Sequence, residues 1–462
     1  MIFHGRKKEL KKLRDAISAP GMGTMLVYGR RRVGKSELVK QAISTADTVY
    51  MFYECKQLAE QSNAEGLNRV TAEALGLPKL GYQRIEDILE YIFKAAVSKK
   101  MILVLDEYPY LRANIAGMDS ILQSLIDGYR DSTQLKLVLL GSYVDVMKSL
   151  LGKANPLFGR MDVIIDLKQM DYYEAAEFYP AFSPADRVRI YSVFGGIPYY
   201  NRLIDDRRSV KENIMSLIAS EGARLENEVP LYLGAEIAKM TNANEVFSAM
   251  ARGYSKYSDI LSQSHVSSGP TLVDIMDKLI SMEVVIRTAP INDENNRRKA
   301  GYHICDNLSL FYYRYMFAHA SQLKIMDPDT FYDRYIHPDF EESYVPHGFE
   351  RIARQYLVRA NQAGMIDPVL EKIGKYYYDD PVSRTNGEFD VVAKDEKGYV
   401  FYEVKFMKNR ITEAMISKEI EQVRATGLRC HRYVFIARSG FTGKETAEIK
   451  HVMLDELYKE GM

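Results

Sequence analysis

Residues 29–36 read Gly-Arg-Arg-Arg-Val-Gly-Lys-Ser, in which two glycines frame a short basic run and a lysine and a serine follow at once. Glycines at this spacing let backbone N–H groups curl around phosphate oxygens, while the lysine reaches the β- and γ-phosphates and the serine hydroxyl binds Mg²⁺. The pattern therefore predicts a phosphate-binding loop for a nucleoside triphosphate and Mg²⁺. Its members are Gly29, Arg30, Arg31, Arg32, Val33, Gly34, Lys35 and Ser36. The alternative is a glycine-rich strand–helix turn with an exposed lysine.

Two adjacent carboxylates, Asp106 and Glu107, follow the apolar run 101–105. Such a run is typical of a central parallel strand buried on both faces, and ligands bind at the carboxyl ends of parallel strands. We therefore expect Asp106 to bind Mg²⁺ and Glu107 to polarise the attacking water. The alternative for this pair is an ordinary helix cap.

Two further residues are candidates for the γ-phosphate. Ser142 ends a third apolar strand and would lie between the nucleotide-binding strands, unless it belongs to a plain Gly-Ser turn. Arg160 lies in a predicted loop, and a guanidinium there could stabilise the transferring phosphate in cis or across a subunit interface. The alternative for Arg160 is a surface ion pair with Asp162 or Asp166.

The residues on either side of the loop indicate the strand and the helix that position these groups. Residues 24–28 form a buried strand pattern before it, and residues 37–44 continue as a helix after it. The partial positive charge at the N-terminus of that helix favours a bound anion. The sequence thus predicts an α/β fold with a parallel sheet.

A second constellation lies near the C-terminus, where strands 387–393 and 399–406 flank a hairpin turn. Alternation places Glu403 and Lys405 on one face of the second strand, and hairpin pairing can bring Asp390 beside them. Two carboxylates and a lysine suit a Mg²⁺ site for phosphodiester hydrolysis. The flanking helices add Glu350 and Gln422. The alternative is a charged, solvated hairpin face.

The middle of the chain has the pattern of a winged-helix-like segment, with helices at 255–261 and 268–282, strands at 284–287 and 300–304, and a charged turn at 292–299. Its second helix, which would enter a DNA groove, is not basic. Arg297, Arg298 and Lys299 in the turn remain candidates for phosphate contacts. A protein-packing role is the alternative.

Composition limits the classes of protein. Lys plus Arg and Asp plus Glu number 62 each, so net charge does not favour nucleic acid, and binding would need local patches. No apolar run is long enough for a bilayer, and the N-terminus lacks a signal-peptide pattern. Three isolated cysteines argue against a disulfide framework and favour a cytoplasmic location. Neutrality with 33 Tyr and 21 Met favours a homo-oligomer.

Several motifs in order resemble the archaeal-type ATPase family of the AAA-related P-loop superfamily, close to signal-transducing NTPases. They are Phe3-His-Gly-Arg6, the loop with its flanks, Leu105-Asp-Glu-Tyr108, Pro156-Leu-Phe-Gly-Arg160 and Gly195-Gly-Ile-Pro-Tyr199. The resemblance implies a helical lid, containing the Gly-Gly-Ile-Pro turn, that closes over the nucleotide. A plain interhelical turn is the alternative.

The order of helical Glu, strand Asp, Glu-x-Lys and helical Gln resembles the restriction-endonuclease-like PD-(D/E)xK superfamily. This resemblance implies that Asp390 and Glu403 are metal ligands, that Lys405 is the catalytic lysine, and that Glu350 and Gln422 support them. Phe389 stands where that family has proline. A fold of this type that has lost activity stays an open alternative.

Together these features predict a P-loop NTPase core at 1–170, a helical lid at 171–235, a winged-helix-like segment at 236–325 and a restriction-endonuclease-like α/β domain at 326–462. The predicted function is Mg²⁺-dependent ATP hydrolysis coupled to a nuclease or nucleic-acid-binding domain, with DNA or RNA as partner and no membrane. The alternative function is an ATP-driven regulatory switch with an inactive C-terminal domain.

Overall fold

The computed structural model describes residues 3–237, 240, 242–296, 298–380 and 385–461. The chain packs as two compact units, the first made of Met1–Gln169 with Ile197–Tyr199 and the second of Met170–Gly196 with Tyr200–Met462. This division falls beside the predicted boundary at 170. The predicted boundaries at 235 and 325 lie inside the second unit and stay predictions.

The first unit is built on a parallel sheet. Its strands are β1 (Gly23–Tyr28), β2 (Val49–Glu54), β3 (Met101–Asp106), β4 (Leu135–Gly141) and β5 (Val163–Asp166). They lie side by side in the order β2-β3-β4-β1-β5, and every neighbouring pair is parallel. The α/β class predicted from the apolar runs is confirmed.

Helices pack on this sheet because their apolar residues recur at helical spacing. In the helix Ile85–Ser98, for example, Ile85, Ile88, Leu89 and Ile92 are all fully buried in the core. The helices of this unit are α1 (Lys7–Ser18), α2 (Lys35–Ile43), α3 (Glu60–Leu75), α4 (Ile85–Ser98), α5 (Pro109–Asn114), α6 (Met118–Tyr129) and α7 (Val144–Ser149).

The second unit begins with helices over the region predicted as a lid. These are α8 (Tyr172–Ala175), α9 (Pro184–Phe194), α10 (Pro198–Asn201, at the division between the units), α11 (Val210–Leu217) and α12 (Glu228–Ile237). Helix α9 ends where the sequence places Gly195, which has φ 62°. A Cβ on Gly196 would lie 1.7 Å from the Met170 carbonyl oxygen, so only glycine allows this close approach.

The middle of the second unit has the order of elements predicted for the winged-helix-like segment. Helices α13 (Ala243–Ala251), α14 (Tyr257–Gln263) and α15 (Gly269–Ser281) precede the antiparallel strands β6 (Val285–Thr288) and β7 (Gly301–Ile304). The turn between β6 and β7, which we call the wing turn, contains Lys299. The Lys299 ammonium is bound to Asp293 at 2.9 Å and lies over the Tyr377 ring. This cation is therefore engaged within the protein, Arg298 is exposed, and Arg297 lies outside the described residues.

A run of short helices follows: α16 (Asn307–Phe311), α17 (Ala320–Ile325), α18 (Pro328–Phe331) and α19 (His337–Asp339). They lead into the longer helix α20 (Val345–Gln362), whose apolar face is buried. π-Helical turns span Tyr312–Met316, Tyr332–Ile336 and Phe340–Tyr344, and 3₁₀ turns span Ala176–Phe178, Phe317–His319 and Leu454–Tyr458.

The C-terminal sheet is mixed. Its strands are β8 (Lys372–Asp380), β9 (Thr385–Asp395), β10 (Gly398–Lys405), β11 (Cys430–Ala437) and β12 (Ile449–Met453), and α21 (Glu413–Ala425) follows β10 in the chain. Their order is β12-β11-β10-β9-β8, with β9 antiparallel to both of its neighbours and β10, β11 and β12 parallel. The hairpin predicted from alternation is the β9–β10 pair.

Within the described part of the chain, none of the helices combines the length and the apolar character that crossing a bilayer requires.

Candidate functional site

The phosphate-binding loop connects β1 to α2 and needs unusual backbone angles. Gly29 has φ 154°, and Gly34, the residue before α2, has φ 98°. Residues with a Cβ rarely adopt such backbone angles. A Cβ on Gly29 would lie 2.2 Å from the Leu167 carbonyl oxygen. The backbone conformation thus requires glycine at both positions, and packing requires it at Gly29 as well.

Substituting Gly29 with alanine is expected to displace the loop from the segment after β5, because the carbonyl it would strike is main chain and cannot rotate away. We expect a loss of about 1–3 kcal/mol in the free energy of unfolding, together with weaker ATP binding. Gly81→Ala is the control, since a Cβ there meets nothing within 4 Å. Chemical denaturation and nucleotide titration measure the two effects, and equal stability of both variants would contradict this role of Gly29.

The Lys35 ammonium is held by the loop itself. It donates hydrogen bonds to the carbonyls of Gly29 at 3.0 Å and Arg30 at 3.2 Å, and to the Ser142 hydroxyl at 2.9 Å. Burial lowers the pKa of Lys35, while the carboxylates of Glu107 and Asp106 act in the opposite direction. A positive charge is therefore fixed at the start of α2, where the helix dipole also favours an anion.

Ser36 and Asp106 meet at the carboxyl end of β3. The Ser36 hydroxyl donates to Asp106 Oδ2 at 2.6 Å. Burial raises the pKa of Asp106, and the Ser36 hydrogen bond counteracts that rise. A hydroxyl and a carboxylate side by side are oxygen ligands of the kind Mg²⁺ takes alongside phosphates and waters. These two residues fit the metal role predicted for them.

Ser142 links the lysine to the second carboxylate. Its backbone N–H donates to Glu107 Oε2 at 3.0 Å, and its hydroxyl donates to Glu107 Oε1. Glu107 has φ 53°, an uncommon conformation for a residue with a side chain, and such strain clusters at functional sites. Lys35, Ser142 and Glu107 thus form one hydrogen-bonded chain at the carboxyl ends of β3 and β4.

Arg160 does not join this cluster. Its guanidinium pairs with Asp127 of α6 through two hydrogen bonds of 2.8 Å, while Asp162 is bound by Arg130. The Arg160 carbonyl accepts from Thr24 at the beginning of β1, about 13 Å of strand away from the loop at its end. The prediction that Arg160 contacts the γ-phosphate in cis is therefore wrong. The alternative, an ion pair of Arg160 with Asp162 or Asp166, is wrong as well. A contact of Arg160 across a subunit interface stays a prediction.

Two other arginines support the loop; the sequence assigned no role to Arg6 and predicted Arg32 only as a member of the loop. Arg6 is buried, and its guanidinium donates to the carbonyls of Lys168 at 2.5 Å and Val33 at 3.4 Å. The Arg32 guanidinium lies 4.4 Å from the centre of the Tyr199 ring. The available signal was the place of Arg6 in Phe3-His-Gly-Arg6, of Arg32 in the phosphate-binding loop and of Tyr199 in the Gly-Gly-Ile-Pro-Tyr turn.

The C-terminal constellation converges on one cavity. The pairing of β9 with β10 runs to Tyr402 opposite Val391, so Asp390 and Glu403 come next on adjacent strands. A cavity of about 300 Å³ is lined by all five predicted residues, Glu350, Asp390, Glu403, Lys405 and Gln422. Glu388 and Glu419 also line it, and Glu419 was not singled out from the sequence.

The charged groups of this cavity lie close to one another. Lys405 Nζ lies 2.5 Å from Glu403 Oε1 and 3.3 Å from Glu419 Oε1. Burial raises the pKa of Glu403 to about 7; Lys405 opposes this rise, and Glu419 and Glu350 add to it. Burial and the charge of Asp390 raise the pKa of Glu350. Crowded carboxylates of this kind favour a cation, because each disfavours ionisation of the next.

Cations from the protein already neutralise these carboxylates. Lys405 binds Glu403, and Lys375 of β8 lies 3.1 Å from Asp390 Oδ1. Over the described residues, no three His, Cys, Asp or Glu side chains are grouped so as to hold a metal ion. A metal here would have two protein carboxylates, Asp390 and Glu403, and would complete its shell with waters and a phosphate, which is the usual habit of Mg²⁺.

The fold and the phosphate loop define the first unit as a P-loop ATPase core. Residues 3–203 match the family described as an ATPase domain predominantly from Archaea. The protein therefore carries an archaeal-type ATPase domain and is an ATPase, which confirms the resemblance drawn from the motifs. Residues 312–420 match a second family, described as archaeal and bacterial proteins of unknown function.

Relatives cover most of the chain. An uncharacterized protein of Methanocaldococcus jannaschii, MJECL04, is 26% identical over 97% of this chain and 98% of its own length. The Walker-type ATPase PABY2304 of Pyrococcus abyssi is similar at 17% identity and a TM-score of 0.49, over 68% of this chain and 96% of that one. The Aeropyrum pernix ORC2 protein, in ADPNP–ADP complexes, is similar at 12% identity and a TM-score of 0.43, over 70% of this chain and 95% of that one.

Proposed function

We propose that the protein hydrolyses ATP with Mg²⁺ and that this turnover controls Mg²⁺-dependent phosphodiester cleavage of DNA or RNA in the C-terminal cavity. The observation that carries the proposal is the convergence of Asp390, Glu403 and Lys405 on one cavity, with Glu350 and Gln422 completing its wall. Such a set supports hydrolysis of a phosphodiester.

In the ATPase core, each residue has a distinct task. Ser36 and Asp106 would hold Mg²⁺, which neutralises charge on the phosphates. Lys35 places a buried positive charge beside the transferred phosphate. Glu107 orients and polarises the attacking water, and Ser142 holds its carboxylate at the strand ends. These assignments of Lys35, Ser36, Asp106, Glu107 and Ser142 are supported by their mutual hydrogen bonds.

In the C-terminal cavity, Asp390 and Glu403 would hold the metal, which activates water and binds the phosphate. Lys405 stabilises negative charge on the phosphate as the bond breaks. Its ammonium is already held in position by two carboxylates, so it need not reorganise for the reaction. Glu350 lies close enough to Asp390 for their charges to interact. Glu350 is therefore placed to receive the proton that the attacking water loses.

The domain roles form part of the proposal. Residues 171–235 act as the lid, residues 236–325 as the winged-helix-like segment and residues 326–462 as the restriction-endonuclease-like domain. No disulfide joins the described cysteines, which supports a cytoplasmic location. A homo-oligomer would let Arg160 act on a neighbour's nucleotide.

A second candidate function is a regulatory switch in which the C-terminal domain is inactive and only binds nucleic acid or a protein. It is favoured by the lysines that neutralise Asp390 and Glu403, and by the lack of a three-residue metal group among the described residues. In this case ATP would set a conformational or oligomeric state.

Cleavage assays separate the two candidates. The purified protein is incubated with Mg²⁺ or Mn²⁺ and with single- or double-stranded DNA or RNA, with and without ATP. We expect metal-dependent cleavage that Lys405→Ala reduces about 100-fold or more, since it removes the charge at the reacting phosphate. Lys397→Ala, in the exposed hairpin turn, is the matched control and should cleave normally.

ATP turnover is measured on the same samples. Asp390→Ala is expected to keep ATP binding and basal turnover, because Asp390 lies in the second unit and outside the phosphate loop. Cleavage by the wild type that does not exceed that of Lys405→Ala would contradict the nuclease and favour the switch.

A further inference from the structure

Lys375 is a second lysine beside the C-terminal cavity, in contact with two of its lining carboxylates, and neither motif assigns it a role. Its ammonium lies 3.1 Å from Asp390 Oδ1 and 3.4 Å from Glu388 Oε2. Both carboxylates line the cavity. Lys375 is thus a monovalent cation placed against one of the two carboxylates that would hold a metal.

A β-bulge creates this contact. The β8–β9 pairing shifts between Gly374 opposite Val392 and Tyr376 opposite Phe389. Two residues of β9, Asp390 and Val391, therefore face the single residue Lys375. Without the bulge, Lys375 would be opposite Val391 alone. Bulges redirect side chains and are over-represented beside active sites.

The winged-helix-like segment forms hydrogen bonds with the backbone of β8 at and beside this lysine. The Ile291 N–H in the wing turn donates to the Lys375 carbonyl at 2.8 Å. One residue further along the turn, the Asn292 side chain forms a reciprocal pair of hydrogen bonds with the Tyr377 backbone, at 2.8 and 3.1 Å. The backbone of β8 on both sides of Tyr376 is therefore tied to the wing turn.

A lysine of the same segment also pairs with Glu388, the other carboxylate that Lys375 contacts. Lys256, just before α14, pairs with Glu388 and donates to the Lys299 carbonyl of the wing turn at 2.8 Å. Glu388 is shared between two lysines, so its attraction for Lys375 is divided. The result is an alternating chain, Lys256–Glu388–Lys375–Asp390, that runs from the middle segment to the cavity.

Resting on the metal site of the proposed function, we propose that Lys375 is a tethered counter-ion that competes with a divalent cation for Asp390. Lys256 and the wing turn hold it in that position. A second cation at Asp390 is repelled by the ammonium at short range, so metal loading requires Lys375 to withdraw towards Glu388. Any rearrangement of the wing turn or of Lys256 thereby sets the metal affinity of the cavity.

The test measures Mn²⁺ binding to the full-length protein without nucleotide, by electron paramagnetic resonance of the free ion. Binding that disappears in Asp390→Asn reports this site. We expect Lys375→Met to tighten that binding about two- to five-fold, the range for losing a partly exposed ion pair. Lys450→Met is the matched control on the same sheet, because Lys450 of β12 pairs with Glu445, away from both the cavity and the wing turn, and it should leave binding unchanged.

Lys256→Met should tighten Mn²⁺ binding in the same direction, because Glu388 is then free to draw Lys375 away from Asp390. Unchanged binding in this variant would overturn the holding role of the middle segment. Equal melting temperatures of all variants verify that each is folded.

The competition by Lys375 and the metal site itself are refuted by different results. If Asp390→Asn abolishes the binding but Lys375→Met leaves it unchanged or weakens it, the competition is refuted while the metal site stands. If Asp390→Asn leaves total Mn²⁺ binding unchanged, the metal site of the proposed function is itself refuted.

Discussion

Replacing Lys35 with methionine is expected to weaken ATP binding about 10- to 100-fold, the equivalent of one hydrogen bond to a charged group. It should also reduce turnover by about 10²–10³. The reason is geometric, because the ammonium is already held at the mouth of the loop by two carbonyls and the Ser142 hydroxyl. Methionine keeps the length of the side chain and loses the charge. Nucleotide titration and steady-state phosphate release measure the two effects.

Lys40→Met is the matched control for this substitution. Lys40 lies on the same helix, α2, and its side chain is 56% exposed. Both variants remove one positive charge from the same helix, so a loss confined to Lys35→Met assigns the effect to position within the loop. Unchanged ATP affinity and turnover in Lys35→Met would refute the nucleotide site.

The second large effect is expected from Glu107→Gln. This change should lower kcat about 10²- to 10⁴-fold, the usual contribution of a residue that activates water. ATP binding should be retained, because the amide oxygen still accepts from the Ser142 N–H and the phosphate contacts of Lys35 and Ser36 are unchanged. The expected signature is a fall in kcat at constant nucleotide Kd.

A nearby carboxylate gives the comparison. Glu54 ends β2 opposite Asp106 in the sheet register, yet it is exposed and outside the Ser142 chain. Glu54→Gln should therefore keep its turnover. If Glu107→Gln hydrolysed ATP as fast as Glu54→Gln does, Glu107 would not be the water-activating residue, and Asp106 would be the remaining carboxylate at the strand end.

Much of the ATPase core was predictable because its determinants are local. Five apolar residues before Asp106 form a buried central strand, and the strand ends at the carboxylate. Gly195 ends α9 because its backbone has positive φ, which a glycine tolerates. Likewise, hairpin alternation placed Asp390, Glu403 and Lys405 at one cavity.

The contacts that the sequence predicted wrongly or did not predict join residues that are distant in the chain. Arg160, in the segment between α7 and β5, pairs with Asp127 of α6, which precedes it by 33 residues. Lys375 meets Asp390 only because one bulge shifts the register of β8 against β9. Nothing in the local pattern around Lys299 shows that the wing turn packs on β8.

By itself, the sequence determined the phosphate loop and the carboxylates at the strand ends, since backbone angles, glycine positions and apolar runs act within a few residues. Only the tertiary structure decided which cation faces which carboxylate, because strand register and helix packing bring together residues that no short-range pattern connects. For that reason Lys35 could be assigned from eight consecutive residues. Lys375 became visible only through its contact with Asp390.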